Sequence, residues 1–129
     1  MAQRGWVIDL GRCIGCHSCT VACKSEQNTA PGNSPLLFKG GNIQRPLHLS
    51  YRWVVVREGG TYPDVWRTFV TSACNHCQEP ACIKSCPVDA ISKRASDGIV
   101  LIDQGKCIGC KYCIWACPYG APQWNEATQ

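Results

Sequence analysis

The chain has 129 residues, 12 of them cysteine, with only two phenylalanines and one methionine to build an apolar interior. That length allows one ordinary domain or two very small ones, and a core-poor chain of this size is held by disulfides or metals. The longest apolar runs, Trp53–Val56 and Ile99–Ile102, are far too short to span a bilayer, and the formal charge of +4 leaves nucleic acid open until the cysteines are counted.

In chain order, residues 1–13 show no apolar h-region, so no signal peptide is expected, nor the oxidising compartment that disulfides need. Trp6–Asp9 is predicted as a short strand. It leads into Cys13, Cys16, Cys19 and Cys23, spaced C-x2-C-x2-C-x3-C, with a short helix expected over Cys19–Glu26. Residues 28–50 are rich in Pro, Gly and Asn and read as an irregular insertion. Tyr51–Glu58 and Val65–Thr71 are β-prone runs that read as a hairpin joined through residues 59–64. A second group follows at Cys74, Cys77, Cys82 and Cys86, spaced C-x2-C-x4-C-x3-C-P. Ala90–Lys93 is expected to pair with Ile99–Asp103 across a turn at Ser96, Asp97 and Gly98. The third group, Cys107, Cys110, Cys113 and Cys117, repeats C-x2-C-x2-C-x3-C-P, with a helix expected over Cys113–Cys117. The chain ends in a polar tail, residues 125–129.

No cysteine lies outside these three groups. A disulfide scaffold has no need of one ladder three times. Zinc prefers two short pairs across a longer spacer, with one tetrahedron for four ligands. Here three cysteines of each group share a tight loop and the fourth follows about one helical turn later, so it projects elsewhere. That suits a cubane: three thiolates grip one cluster and the fourth reaches its neighbour. Iron–sulfur is therefore preferred over zinc or disulfides.

The segment from Cys74 to Cys117, CNHCQEPACIKSCPVDAIS then GIVLIDQGKCIGCKYCIWACPYGAP, resembles the bacterial two-cluster ferredoxins. The resemblance implies an α+β fold of short antiparallel strands and short helices around 4Fe–4S clusters, here with an inserted β-hairpin. It also implies the ligand sets: Cys74, Cys77, Cys82 and Cys117 for one cluster, and Cys86, Cys107, Cys110 and Cys113 for the other. Gly15 and Gly109 sit inside the loops, where glycine permits positive φ and lets amides point at sulfur. Ile14 and Ile108 read as water shields for a cluster or, more blandly, as core residues. Pro87 and Pro118 fix the chain direction after the fourth cysteines. Aligning Cys13 with Cys107 also matches Ile8, Asp9, Gly11, Arg12, Ile14, Gly15 and Ala22 with Ile102, Asp103, Gly105, Lys106, Ile108, Gly109 and Ala116, an internal repeat.

The first group exposes a deficit. Cys13, Cys16 and Cys19 hold three corners of a third cluster whose fourth ligand is missing, and Cys23 is offered to a possible fourth. Three readings stay open: a fragment that stops before a fourth group, which we favour; local closure by Cys23; or a ligand from a partner chain. The whole chain is similar to the four-cluster iron–sulfur subunits of molybdenum or tungsten bis-pterin oxidoreductases. That group includes dimethyl sulfoxide reductase, polysulfide reductase, respiratory arsenate reductase and formate dehydrogenase. VIDLGRCIGCHSCTVACK, CNHCQEPACIKSCPVDAI and CIGCKYCIWACPYGAPQWN carry the similarity. In that family a fourth cysteine group follows the third and pairs with the first; it is absent here.

The organisation expected is a half unit at residues 1–27, an insertion with the hairpin at 28–72, a complete two-cluster unit at 73–124, and the tail. The hairpin reads equally as a docking ribbon, over a cluster or a partner, and as a structural cover. Trp53, Trp66, Trp115 and Trp124 are candidates for interfaces, with Trp115 expected against the cluster loops. His17 and His76 lie inside loops but are not expected as ligands, because cysteines complete the sets; His48 has no nearby ligand partner. Each oxidised cluster with four thiolates carries about −2. Two clusters then bring the formal +4 to about 0, so nucleic acid is not expected. Lys24, Lys84, Lys93, Lys106 and Lys111 read as potential-raising or docking charges, or simply as solvated lysines.

The function expected is electron transfer without catalysis on this chain, since no nucleophile elbow, general-base pair or phosphate loop stands out. The resemblance implies a bis-pterin catalytic subunit at one end and a membrane quinone-reactive subunit at the other. It places the chain peripherally, in the cytoplasm or periplasm of a prokaryote, in anaerobic respiration, without membrane insertion of its own. A free soluble carrier and a structural zinc interaction module are the alternatives from other classes.

Overall fold

The computed structural model describes residues 5–28 and 50–124. The insertion expected over residues 28–50 falls mostly on 29–49, and the polar tail on 125–129; both lie outside the described residues. The described elements are, in order, α1 (Ser18–Gln27), β1 (Arg52–Thr61), β2 (Asp64–Ala73), α2 (Ala81–Lys84), β3 (Ile91–Lys93), β4 (Val100–Ile102) and α3 (Tyr112–Ala116). This is a small α+β protein. Its described residues divide into two compact units, 7–28 with 50–73, and 5–6 with 74–124.

In the first unit, β-branched and aromatic residues pair β1 and β2 antiparallel, from Arg52 opposite Ala73 to Thr61 opposite Asp64. The connection passes through a cis Tyr62–Pro63 bond. Alternation puts Trp53 and Val55 on one face of β1, where they are 2% and 6% exposed. Helix α1 packs on that strand and buries Thr20. The far end of the hairpin leaves this small core, so Tyr62, Val65 and Trp66 stand in solvent. Helix α1 closes on Asn28 in the left-handed region, whose backbone N–H bonds back to the Lys24 and Ser25 carbonyls. Lys24 lies in the last turn, where a cation suits the helix dipole.

In the second unit, β3 and β4 pair with Ile91 opposite Ile102 and Lys93 opposite Val100. The turn between them is held by Arg94 N–H to the Ile99 carbonyl at 2.8 Å. The Asp97 carboxylate accepts the Ile99 N–H at 3.2 Å and pairs with Arg94. Ala90 and Ile91 form the local core. Helices α2 and α3 pack against each other. Helix α2 has no forewarning in the sequence: four residues after Pro80 are too few to show a helical period.

One expected strand is corrected. Residues Trp6–Asp9 have no strand conformation, and Trp6 and Val7 are 75% and 99% exposed. The matching stretch, β4, is a strand because β3 lies beside it. Among the described residues nothing plays that part for Trp6–Asp9, and a lone extended segment gains no ladder bonds. No helix among the described residues is long and apolar enough to cross a membrane.

Candidate metal centres

The first and third cysteine loops are built alike, atom for atom in several places. The Asp9 carboxylate accepts the Gly11 N–H at 2.9 Å, and the Asp103 carboxylate accepts the Gly105 N–H at 2.9 Å. The Asp9 carbonyl takes the Arg12 amide at 3.2 Å, and the Asp103 carbonyl takes that of Lys106 at 3.3 Å. These aspartate turns deliver the chain to Cys13 and Cys107 in the same direction. Gly15 and Gly109 then adopt φ of 70° and 69°, and His17 and Lys111 follow at 60° and 64°, each opening a helix. Two left-handed residues within three positions turn the backbone sharply inside each loop.

The second loop reaches a similar curl without glycine. His76 stands where Gly15 and Gly109 stand, at φ 44°. Its ring Nδ1 accepts the Val100 N–H at 3.0 Å, which puts the proton of the neutral ring on Nε2. The His76 amide approaches the Cys74 sulfur at 3.5 Å. Strand β3 adds a second pin: the Lys93 ammonium donates to the Cys77 carbonyl at 2.8 Å and the Gln78 carbonyl at 3.4 Å.

No cysteine is in a disulfide. Burial, the largest influence, pushes the Cys74 thiol above its ordinary value; Cys117 and Cys77 push it further, and the His76 amide opposes them. Cys82 is raised by burial and then by Cys117 and Cys74. Cys117 of the third group therefore stands within electrostatic reach of two cysteines of the second. Cys113 is raised by burial and then by Cys107 and Cys110. Cys86 is lowered, chiefly by the Val88 amide and also by the Ala90 amide, which lies 3.3 Å from its sulfur. The Ala121 amide meets the Cys117 sulfur at 3.5 Å. In the first unit, Cys16 is lowered by Ser18, whose hydroxyl oxygen lies 3.3 Å from its sulfur. Cys19 lies 3.5 Å from the Thr71 hydroxyl.

This donor set fits an iron–sulfur group. Amides aimed at sulfur stabilise thiolates, and a bound metal would displace the protons that burial retains on Cys74, Cys82 and Cys113. Among the described residues no three His, Cys, Asp or Glu side chains close around the space of a single ion.

Other expectations divide. Ile14 and Ile108 are 76% and 64% exposed, so they are not core residues. Trp115, expected against the cluster loops, is 87% exposed; a five-residue helix turns too little of itself inward to cover it. The aromatic cover comes from two residues not singled out for it. The Trp124 ring lies over Gly109, 2.6 Å from where a Cβ would stand, and the Phe69 ring lies closer still over Gly15. Each ring carries a cation: Lys111 at 5.0 Å over Trp124 and Arg67 at 5.3 Å over Phe69. The sequence signal for both rings is only an aromatic at long range, with no spacing to tie it to a loop.

Residues 65–129 match the 4Fe-4S dicluster domain, and residues 10–29 match a 4Fe-4S binding domain. The B subunit of sulfite dehydrogenase from Allochromatium vinosum is 45% identical over 121 residues, covering 94% of this chain and 50% of its own length. The B subunit of anaerobic dimethyl sulfoxide reductase from Escherichia coli is 41% identical over 127 residues, covering 96% and 56%. The iron–sulfur subunit of arsenate respiratory reductase from a Shewanella species is 40% identical over 124 residues, covering 96% and 46%. The chain spans about half the length of these curated relatives.

Proposed function

The chain belongs to the 4Fe-4S dicluster domain family, and from that premise we propose that it is the electron-transfer part of an iron–sulfur subunit. It serves a molybdenum or tungsten bis-pterin oxidoreductase and performs no catalysis of its own. The observation that carries this reading is the spacing of Cys74, Cys77, Cys82, Cys86, Cys107, Cys110, Cys113 and Cys117 within a segment that matches the 4Fe-4S dicluster domain, and the electrostatic reach of Cys117 to Cys74 and Cys82 supports it. Cys74, Cys77, Cys82 and Cys117 hold one 4Fe–4S cluster; Cys86, Cys107, Cys110 and Cys113 hold the other. Bound there, a cluster takes up and returns one electron at a time. Around it the chain's residues orient thiolates, donate amides to sulfur and carry fixed charge.

Residues 1–27 form half of a further unit, 28–72 an insertion that carries the hairpin, and 73–124 the complete unit. Cys13, Cys16 and Cys19 hold a third cluster once a fourth ligand is supplied, and Cys23 is offered to that ligand's own cluster. The partners are the catalytic subunit and an integral membrane quinone-reactive subunit, with this chain peripheral to the membrane. The names of the relatives, each one component of a larger oxidoreductase, favour this over a free carrier. The match of residues 65–129 and 10–29 to 4Fe-4S domains favours iron–sulfur over the zinc reading.

The test is anaerobic purification with iron and sulfide analysis, followed by electron paramagnetic resonance after reduction. The expected result is at least two reducible 4Fe–4S clusters per chain and a co-purifying large subunit. A colourless, zinc-loaded protein would overturn the proposal.

A further inference from the structure

Lys93 stands apart from the other cations near the cysteine loops. Lys84 pairs with Glu79 at 3.6 Å, Lys106 with Asp103 at 3.9 Å, and Arg94 with Asp97, so each positive charge is partly cancelled. Lys111 lies over the Trp124 ring. Among the described residues Lys93 makes no ion pair. It is half-buried and tied at 2.8 Å to the carbonyl of Cys77 and at 3.4 Å to that of Gln78. Its opposite residue on β4, Val100, holds His76 of the same loop. The charge is therefore tethered to the second cysteine loop rather than carried on a solvated, wandering side chain.

We propose that Lys93 raises the reduction potential of the cluster held by Cys74, Cys77, Cys82 and Cys117. The inference rests on those cysteines being ligands. One electron enters the oxidised cluster and leaves it one unit more negative, with no bond made or broken. The electron comes from the redox partner in the complex, or from a low-potential reductant in a titration. An uncancelled ammonium one residue's backbone away favours that more negative state, and a partly buried site screens it weakly. Two carbonyl tethers hold the ammonium in place.

The test compares the parent protein with Lys93→Gln and Lys93→Arg by potentiometric titration followed by electron paramagnetic resonance. Glutamine keeps a donor for the carbonyls and removes the charge; arginine keeps the charge. The expected result is equal iron and sulfide in all three proteins. One cluster should shift to a more negative potential in Lys93→Gln alone, while the other titrates as in the parent. An unmoved potential in Lys93→Gln would overturn the proposal, as would an equal shift in Lys93→Arg. Loss of iron from Lys93→Gln would overturn it too, since Lys93 would then be a residue that holds the loop. An iron-free parent is a different failure, that of the electron-transfer reading itself.

Discussion

At the level of single residues, the loops show two solutions to one backbone problem. Gly15 and Gly109 enter the left-handed region without strain. His76 enters it at a cost and recovers a bond to the Val100 amide at 3.0 Å. Replacing His76 by glycine should relieve the strain but orphan that amide, a loss of about 1–3 kcal/mol. Alanine should lose the same bond and keep the left-handed penalty of about 1–2 kcal/mol. The thermal midpoint of the iron-loaded protein should therefore be lower in His76→Ala than in His76→Gly; equal midpoints for the two variants would remove the backbone argument. Gly109→Ala meets two penalties, the left-handed one and a ring 2.6 Å from the new methyl, the second costing about 1–3 kcal/mol. Iron per chain should drop after anaerobic purification, and an unchanged stoichiometry would contradict this.

Among the elements, β2 is the one that joins scaffold to site. Phe69 and Thr71 are two apart, so they share a face, and that face meets the first cysteine loop at Gly15 and Cys19. Phe69→Ala should open this loop and speed iron loss from it, while the clusters of residues 74–124 persist; chelator kinetics followed by absorbance would show two separated phases. Trp53→Ala empties the middle of the small core and should cost about 3–5 kcal/mol, read as a lower melting temperature of the hairpin's circular dichroism. Much of this is legible in the sequence. The expected helices at Cys19–Glu26 and Cys113–Cys117 lie within a residue of α1 and α3, because the cysteine ladder itself marks where each loop must close. The pairing of β3 with β4 follows from an Asp-Gly turn between apolar runs. What escapes is set by distant neighbours. Trp6–Asp9 has a strand's composition but no strand beside it among the described residues, α2 is too short to have a period, and Trp124 finds Gly109 across a separation that no local pattern encodes.

Across the whole molecule, twelve cysteines outside any disulfide and a thin core among the described residues mean that folding and metal loading are linked. Binding that stabilises only the folded state adds directly to its stability. Iron-free protein should therefore melt well below the loaded form, and equal melting temperatures would show that the polypeptide holds itself. The ligand sets can be tested at the same scale. Cys86→Ser should disturb the cluster of the third loop, and Cys82→Ser that of the second, although only three residues separate the two cysteines. Serine keeps an oxygen ligand and with it both clusters, so each variant should alter the spectroscopic signal of its own cluster; the same signal altered by both would break the assignment. The electrostatic reach of Cys117 to Cys74 and Cys82 also bears on how the protein is made and damaged. On the proposed ligand sets each occupied site anchors the chain that completes the other, so occupancy should behave as all-or-none. Under limiting iron, native mass spectrometry of residues 74–124 in the full chain should find empty and doubly loaded species with few intermediates. An oxidant that strips one centre should then condemn its neighbour, making the pair a single unit of assembly and of failure.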